Sequence, residues 1–420
     1  MSSQLNPKAS ILTLGLLIVV AMFSSSILSN PTYNYLTSAL AQPFIQTVKY
    51  RDLVIDLGNG IRTNAQLTIP AVGNGPFPGV LLVAGSGVVD MNETLSPDTK
   101  PFWQIAQYLS ERGFAVLRYD KRGVGANSQI IDYNIWGNLT FNDLKNDAEI
   151  ALGVLTQQPE VDPNKISIIG HSEGTLIVPR IVIDQESKTN STMIKNIILM
   201  GSAATTMADL AHYQKVGIVL DYMHQVLDKN GTGFISVQEA IQDPLVGRFI
   251  VANFGNNTNT TTATEFIGIE RQVKPLLERA LEEFTQADPN ARCNNPEGCP
   301  IWYNSAVNLD PNLSVIGNLS ESTSVLMLNG ENDPLTPVQQ SFLLEQRLTE
   351  VDHPDHTLIT YPGLGHTFAI SPRWSTGLGP VEQYVLSDLH TWLSDRTHGL
   401  LGVLSDNRLE QAQNNAIASS

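Results

Sequence analysis

The chain has 420 residues, 42% of them hydrophobic and only 16% charged, which leaves ample material for a core and excludes a coiled coil or wholesale disorder. Lys plus Arg number 25 against 41 Asp plus Glu, a formal net charge of −16. A surface this acidic offers no footprint for a phosphate backbone, so no nucleic-acid partner is expected. Two cysteines are too few for a disulfide framework or a four-cysteine zinc site.

At the N-terminus Lys8 precedes an uncharged apolar run, Ile11 to Phe23, with the length of a signal-peptide core and short for a membrane span. Ala39-Leu40-Ala41 reads as a small-residue cleavage site. Residues 1–41 are therefore expected to be a signal peptide or an N-terminal membrane anchor. Either places the rest of the chain outside the cytoplasm, secreted or anchored. Two features agree with export. Cys293 and Cys299 sit in a Pro- and Gly-containing segment that suits a loop closed by a disulfide. Asn-X-Ser/Thr sequons recur, among them Asn92 and Asn138.

From residue 47 short apolar runs alternate with longer amphipathic segments. Strands are expected at Thr47–Leu57, Thr63–Ile69, Gly79–Ala84, Ala115–Tyr119, Lys165–Ile169, Ile197–Met200, Ser324–Leu328 and His356–Tyr361. Helices are expected at Pro101–Arg112, Leu144–Gln157, Gly174–Ile183, Val338–Val351 and Val381–Ser394. Two strands followed by strand–helix alternation predict an α/β architecture, a mostly parallel sheet flanked by helices. The alternation breaks at residues 203–321. That stretch carries helix patterns at Ala208–Leu227 and Ile267–Thr285 and an Asn/Thr tract at Asn256–Thr262. It reads as a mainly helical cap inserted between two core segments, 42–202 and 322–403, over the carboxyl ends of the strands where ligands bind. A polar tail, 404–420, follows.

Gly170-His171-Ser172-Glu173-Gly174 matches G-x-S-x-G between an apolar strand and a helix pattern, the setting in which a sharp turn exposes a serine oxygen. A serine needs a base, and His366 follows a late strand; the base needs a carboxylate, and Asp333 follows the strand before it. Glu331 is the rival acid. The order Ser172, Asp333, His366 is the one this strand arrangement demands.

With these residues the chain resembles the α/β-hydrolase superfamily, specifically its esterase-like serine hydrolases. The likeness is carried by LLVAGSGVVDMNE, YDKRGVGANS, GHSEG, GENDPLTP and GLGHTF. It implies the α/β-hydrolase fold and an oxyanion hole formed by the main-chain N–H of Ser86 or Gly87 with that of Glu173. It also implies attack on a small-molecule ester or acyl substrate through an acyl-enzyme. A serine peptidase or acyl-aminoacyl hydrolase uses the same triad, and a calcium-binding surface protein on an inactive scaffold is the alternative from another class.

Residues 228–239 fit the twelve-residue EF-hand loop. Asp228, Asn230, Thr232 and Ser236 supply oxygens at positions 1, 3, 5 and 9, and Glu239 at position 12. Gly233 makes the turn, and Phe234 offers its carbonyl at position 7. Pro244 is expected to end the outgoing helix early, and no second loop of this pattern is visible. With charge only on Asp228 and Glu239, a structural calcium site is expected to be weak, about 10⁻⁴–10⁻³ M. His212, His224, His353 and His356 lack the spacing of a metal site.

Overall fold

The computed structural model describes residues 47–189, 194–254, 266–288, 290–292 and 299–397. The signal or anchor segment, the Asn/Thr tract, Cys293 and the C-terminal tail lie outside the described residues. The chain divides into two compact units. Among the described residues one comprises residues 47–205, 310–373 and 377–397, the other Thr206–Leu309 with Trp374–Thr376.

The larger unit is built on eight strands: β1 (Val48–Gly58), β2 (Ile61–Pro70), β3 (Phe77–Val83), β4 (Ala115–Tyr119), β7 (Val161–His171), β8 (Ile194–Met200), β11 (Ser324–Gly330) and β12 (His356–Tyr361). Two-residue strands β5 (Val124–Gly125) and β6 (Gln129–Ile130) form a separate ribbon. The main sheet runs β1-β2-β4-β3-β7-β8-β11-β12. β2 pairs antiparallel with β1 and β4, and the remaining neighbours are parallel. This is the α/β-hydrolase fold. Buried Val, Ile and Leu fill the parallel strands because helices cover both faces. The strand order reverses between β3 and β7: the chain steps outward from β3 to β4, then returns to β7 on the other side. Diverging connections leave a crevice at the carboxyl ends there, the place where such sheets hold ligands.

Helices Pro101–Glu111, Phe141–Thr156, Gly174–Thr189, Gln339–Glu350 and Gln383–Thr397 stand close to their expected places. β7 begins four residues before the expected Lys165, because Val161 and Asp162 pair with Phe77 and Pro78 across a register shift. The polar VDPN segment gives no apolar run to announce that pairing.

In the smaller unit a helical run from Met207 to Leu227, with two wide π-type turns, leads into the loop at Asp228. Strand β9 (Phe234–Ser236) follows, then a short helix Val237–Ile241 that stops before Pro244, as that proline requires. The helix expected from Ile267 starts instead at Ile269, because Phe266–Gly268 forms strand β10. β10 pairs antiparallel with β9, setting Ile235 opposite Ile267, both fully buried. The twelve-residue loop thus has a pairing partner, a second helix–strand–helix segment built from Gly247–Phe254, β10 and Ile269–Thr285.

Candidate active site

Ser172 follows β7 directly, at φ +52°. A non-glycine residue there carries strain of about 1–3 kcal/mol, held in place by its surroundings. Two glycines explain how. A Cβ on Gly170 would collide with the Gly174 carbonyl, and one on Gly174 with the Val83 carbonyl. Strand, turn and helix Gly174–Thr189 pack at backbone contact, and Ser172 donates its N–H to Met200 O at 2.9 Å. Its carbonyl accepts from the N–H and hydroxyl of Thr175, closing the first helical turn. The side chain is half-buried while both neighbours, His171 and Glu173, are buried.

The loop after β3 lies against this turn: a Cβ on Gly85 would stand 3.1 Å from Ser172 Cβ. Beyond it Ser86 and Gly87 are exposed, Gly87 at φ +92°, a conformation in which a side chain is rarely tolerated. Glu173 turns its carboxylate inward to Lys121 Nζ at 2.7 Å, both side chains almost fully buried. That ion pair pins the residue whose N–H is the second expected oxyanion donor.

Asp333 and His366 come together. His366 Nδ1 lies 2.7 Å from Asp333 Oδ2, and both side chains are buried. Asp333 also accepts from the N–H groups of Leu335 (2.8 Å) and Thr336 (3.0 Å) and from the Thr336 hydroxyl (2.8 Å). Burial by itself pushes this carboxyl up, but the His366 charge and these hydrogen bonds outweigh it and hold Asp333 below the ordinary carboxylate range. The two loops are laced together: Asn332 donates its N–H to Leu364 O and its amide to Ser371 O. Glu331, the rival acid, is exposed and accepts from Thr360 Oγ1 at 2.9 Å. His366 in turn packs on Gly201, where a Cβ would stand 3.2 Å from His366 Cε1. Gly201 follows Met200, the residue that takes the Ser172 N–H, so serine and histidine flank one short stretch of chain.

Two participants had no signal of their own. Thr336 buttresses Asp333, and buried Glu93, in the loop after β3, reaches His171 and Gly85. Both lie inside segments that carried the family likeness, but nothing local distinguished them. Asp120 and Arg122 serve structure: Asp120 accepts from Met91 N–H, and Arg122 grips Asp147 with two nitrogens and Asp143 with a third.

A family model described as alpha/beta hydrolase fold matches residues 80–371. The chain belongs to the α/β-hydrolase family. Over 117 residues, 28% of its length, this α/β hydrolase is 38% identical to Esterase EstD of Thermotoga maritima, and it spans about a quarter (26%) of that relative. Among solved structures it is similar to brefeldin A esterase, a bacterial homologue of human hormone sensitive lipase, at 15% identity. That superposition covers 95% of this chain and 88% of the other, with TM-score 0.49. It is also similar to the Pyrococcus horikoshii acylaminoacyl peptidase, at 13% identity over 84% of this chain and 42% of that one, with TM-score 0.46.

In the smaller unit, Asp228 is buried and its carboxylate accepts the N–H groups of Thr232 (2.9 Å) and Gly233 (2.7 Å). Gly231 and Gly233 take positive φ of 65° and 77°, bending the loop around that carboxylate. Glu239 is exposed, 3.8 Å from Lys229 Nζ. All six expected donors are hard oxygens, which fits Ca²⁺ in kind. Among the described residues no cluster of three or more His, Cys, Asp or Glu is gathered for a metal ion. His224 pairs with Glu270 and His356 with Glu345, as ordinary polar contacts. Cys299 is disulfide-bonded, while its expected partner Cys293 lies outside the described residues. Among the described residues no helix is long and apolar enough to cross a membrane.

Proposed function

We propose that this α/β hydrolase is an exported serine hydrolase that cleaves carboxylic esters through an acyl-enzyme. The observation that carries the reading is the strained serine turn at Ser172, set beside a loop pair that presents a carboxylate-bound histidine. In this reading Ser172 Oγ attacks the ester carbonyl while His366 takes the hydroxyl proton. Asp333 fixes the His366 tautomer and balances the imidazolium that forms. The N–H groups of Ser86 or Gly87 and of Glu173 receive the developing oxyanion, each donor being worth about 3–4 kcal/mol. The leaving alcohol collects the proton from His366, and water, activated by the same base, releases the acid.

The partial likeness to an esterase favours a small acyl substrate over a peptide. Export is proposed on the N-terminal sequence pattern, with the disulfide at Cys299 in agreement. Ser172→Ala is expected to lower kcat on a short p-nitrophenyl ester by about 10⁴-fold or more while leaving the melting temperature in place. Unchanged turnover in a folded S172A protein would overturn the mechanism. A panel of matched ester, thioester and amide probes then separates esterase from peptidase.

Calcium is proposed as a structural ion in the 228–239 loop. Asp228, Asn230, Thr232, Ser236 and Glu239 would hold it with the Phe234 carbonyl. When bound, the ion would supply charge that ties the loop to its following helix and would take no part in the chemistry at Ser172. The inward carboxylate of Asp228 supports this.

A further inference from the structure

We propose that His171, the residue before the serine, is held doubly protonated between Glu93 and the main-chain carbonyl of His366. In this role the buried ion pair is a positioning device that fastens together the three loops of the proposed active site. The inference rests on the serine-hydrolase reading for its purpose, but not for its geometry.

His171 Nδ1 lies 2.8 Å from Glu93 Oε2, and His171 Nε2 lies 3.0 Å from His366 O. A carbonyl oxygen only accepts, and so does an ionised carboxylate. A neutral imidazole has one N–H and would leave one of these contacts as two facing lone pairs. Only the imidazolium donates to both. Its charge is balanced on the spot, since Glu93 is buried with it and has a second donor, the N–H of Gly85, on its other oxygen. The remaining faces of the His171 ring meet Phe102 and Phe368, both with ring centroids 6.4 Å away, and the His366 ring at 4.7 Å. The charged and titratable groups acting on it are Glu93, His366 and Asp333. Burial alone would push the imidazole down, but Glu93 and the His366 carbonyl outweigh that and raise it above its ordinary value. Glu93 shows the mirror case: burial pushes it up, and His171 brings it below the ordinary range.

The consequence is mechanical. Gly85 precedes the expected oxyanion donors, His171 precedes the nucleophile, and His366 is the base. A single ring and a single carboxylate therefore set the mutual positions of all three. Losing that link frees these groups to shift, and a misplacement of about 1 Å costs about a hundredfold in rate.

The test is nitrogen NMR of ¹⁵N-histidine-labelled full-length protein from pH 5.5 to 8.5, with His171→Gln supplying the assignment. Two protonated ring nitrogens on His171 at pH 7 are expected; an unprotonated nitrogen there would overturn the proposal. Because the folded value is raised, the stability that His171 contributes is complete below pH about 6.5. It is lost only as pH rises through the higher folded value. Glu93→Gln removes the counter-charge. It is expected to bring His171 titration into the measured range, add a matching ionisation to the kcat profile and lower kcat about a hundredfold, with KM changed less. A folded E93Q enzyme with the wild-type kcat at every pH would sink the positioning role. The NMR result does not depend on turnover, so failure of the hydrolase reading and failure of this one are told apart.

Discussion

Around Ser172 the buried titratable side chains stand in pairs: Lys121 beside Glu173, His171 beside Glu93, His366 beside Asp333 and Arg122 beside Asp147. The 228–239 loop is organised differently. Its one buried carboxylate, Asp228, is satisfied by main-chain N–H groups, and its other acid, Glu239, faces solvent beside Lys229. These core side chains thus meet charged or polar partners within the fold, whereas the acids of the 228–239 loop meet main-chain donors and solvent. A complete network breaks sharply when one member is removed, because the partner is left as a buried unpaired charge. A loop that bound a cation would respond to its concentration instead.

The largest break is expected at Asp333. Asp333→Asn keeps the shape but removes the charge and favours the wrong His366 tautomer, so kcat should drop about 10⁴-fold. Glu331→Gln, altering an exposed acid bonded to Thr360, should leave kcat within about twofold of wild type. Steady-state kinetics on one ester decides it, and equal losses in the two variants would remove Asp333 from its role.

That pair of variants also marks how far the sequence could be read. The succession of strands, the turn at Ser172 and the meeting of Asp333 with His366 were legible because each is announced by its own neighbours: an apolar strand before it and glycine or proline beside it. β4 and β12 fall at their expected bounds for the same reason. What was not legible depends on distant partners. Glu93 becomes meaningful only by meeting His171, 78 positions away, and β10 only by pairing with β9. The twelve-residue loop was the more demanding match in sequence, yet the short strand that completes its fold comes from a stretch read as helix. Local pattern reports local physics; the charge network around the serine is a tertiary fact.

Lys121→Met probes the network next. Removing the ammonium takes the Lys121 charge, 2.7 Å away, from the buried Glu173 carboxylate, and a loss of about 3–5 kcal/mol in unfolding free energy is expected by denaturant titration. The double variant Lys121→Met with Glu173→Gln should recover part of that loss. No recovery would mean that the pair acts through packing alone.

Acid is a milder perturbation. Asp333 has a folded pKa below its unfolded value, so the stability it contributes is present in full above the ordinary carboxylate range. It is lost as pH falls through the lower folded value. Asp333→Asn should therefore flatten the acid limb of the stability curve relative to wild type, while near neutrality the two curves stay parallel. An unchanged acid limb would show that His366 does not bias the carboxyl.

The smallest effect belongs to the loop, and it is the one that separates the two regions most cleanly. With a dissociation constant of about 10⁻⁴–10⁻³ M, 10 mM Ca²⁺ should add roughly 1.4–2.7 kcal/mol to the unit that binds it, raising its melting temperature by several degrees over an EDTA sample. Glu239→Ala should erase the increment, since it removes one of only two charged donors. Ester turnover at low temperature should not follow the metal, because the pairs around Ser172 are complete without it. Equal melting temperatures in EDTA and in Ca²⁺, for wild type and E239A alike, would leave the loop as a metal-free turn. A turnover that tracked calcium instead would mean that the two regions are not electrostatically independent.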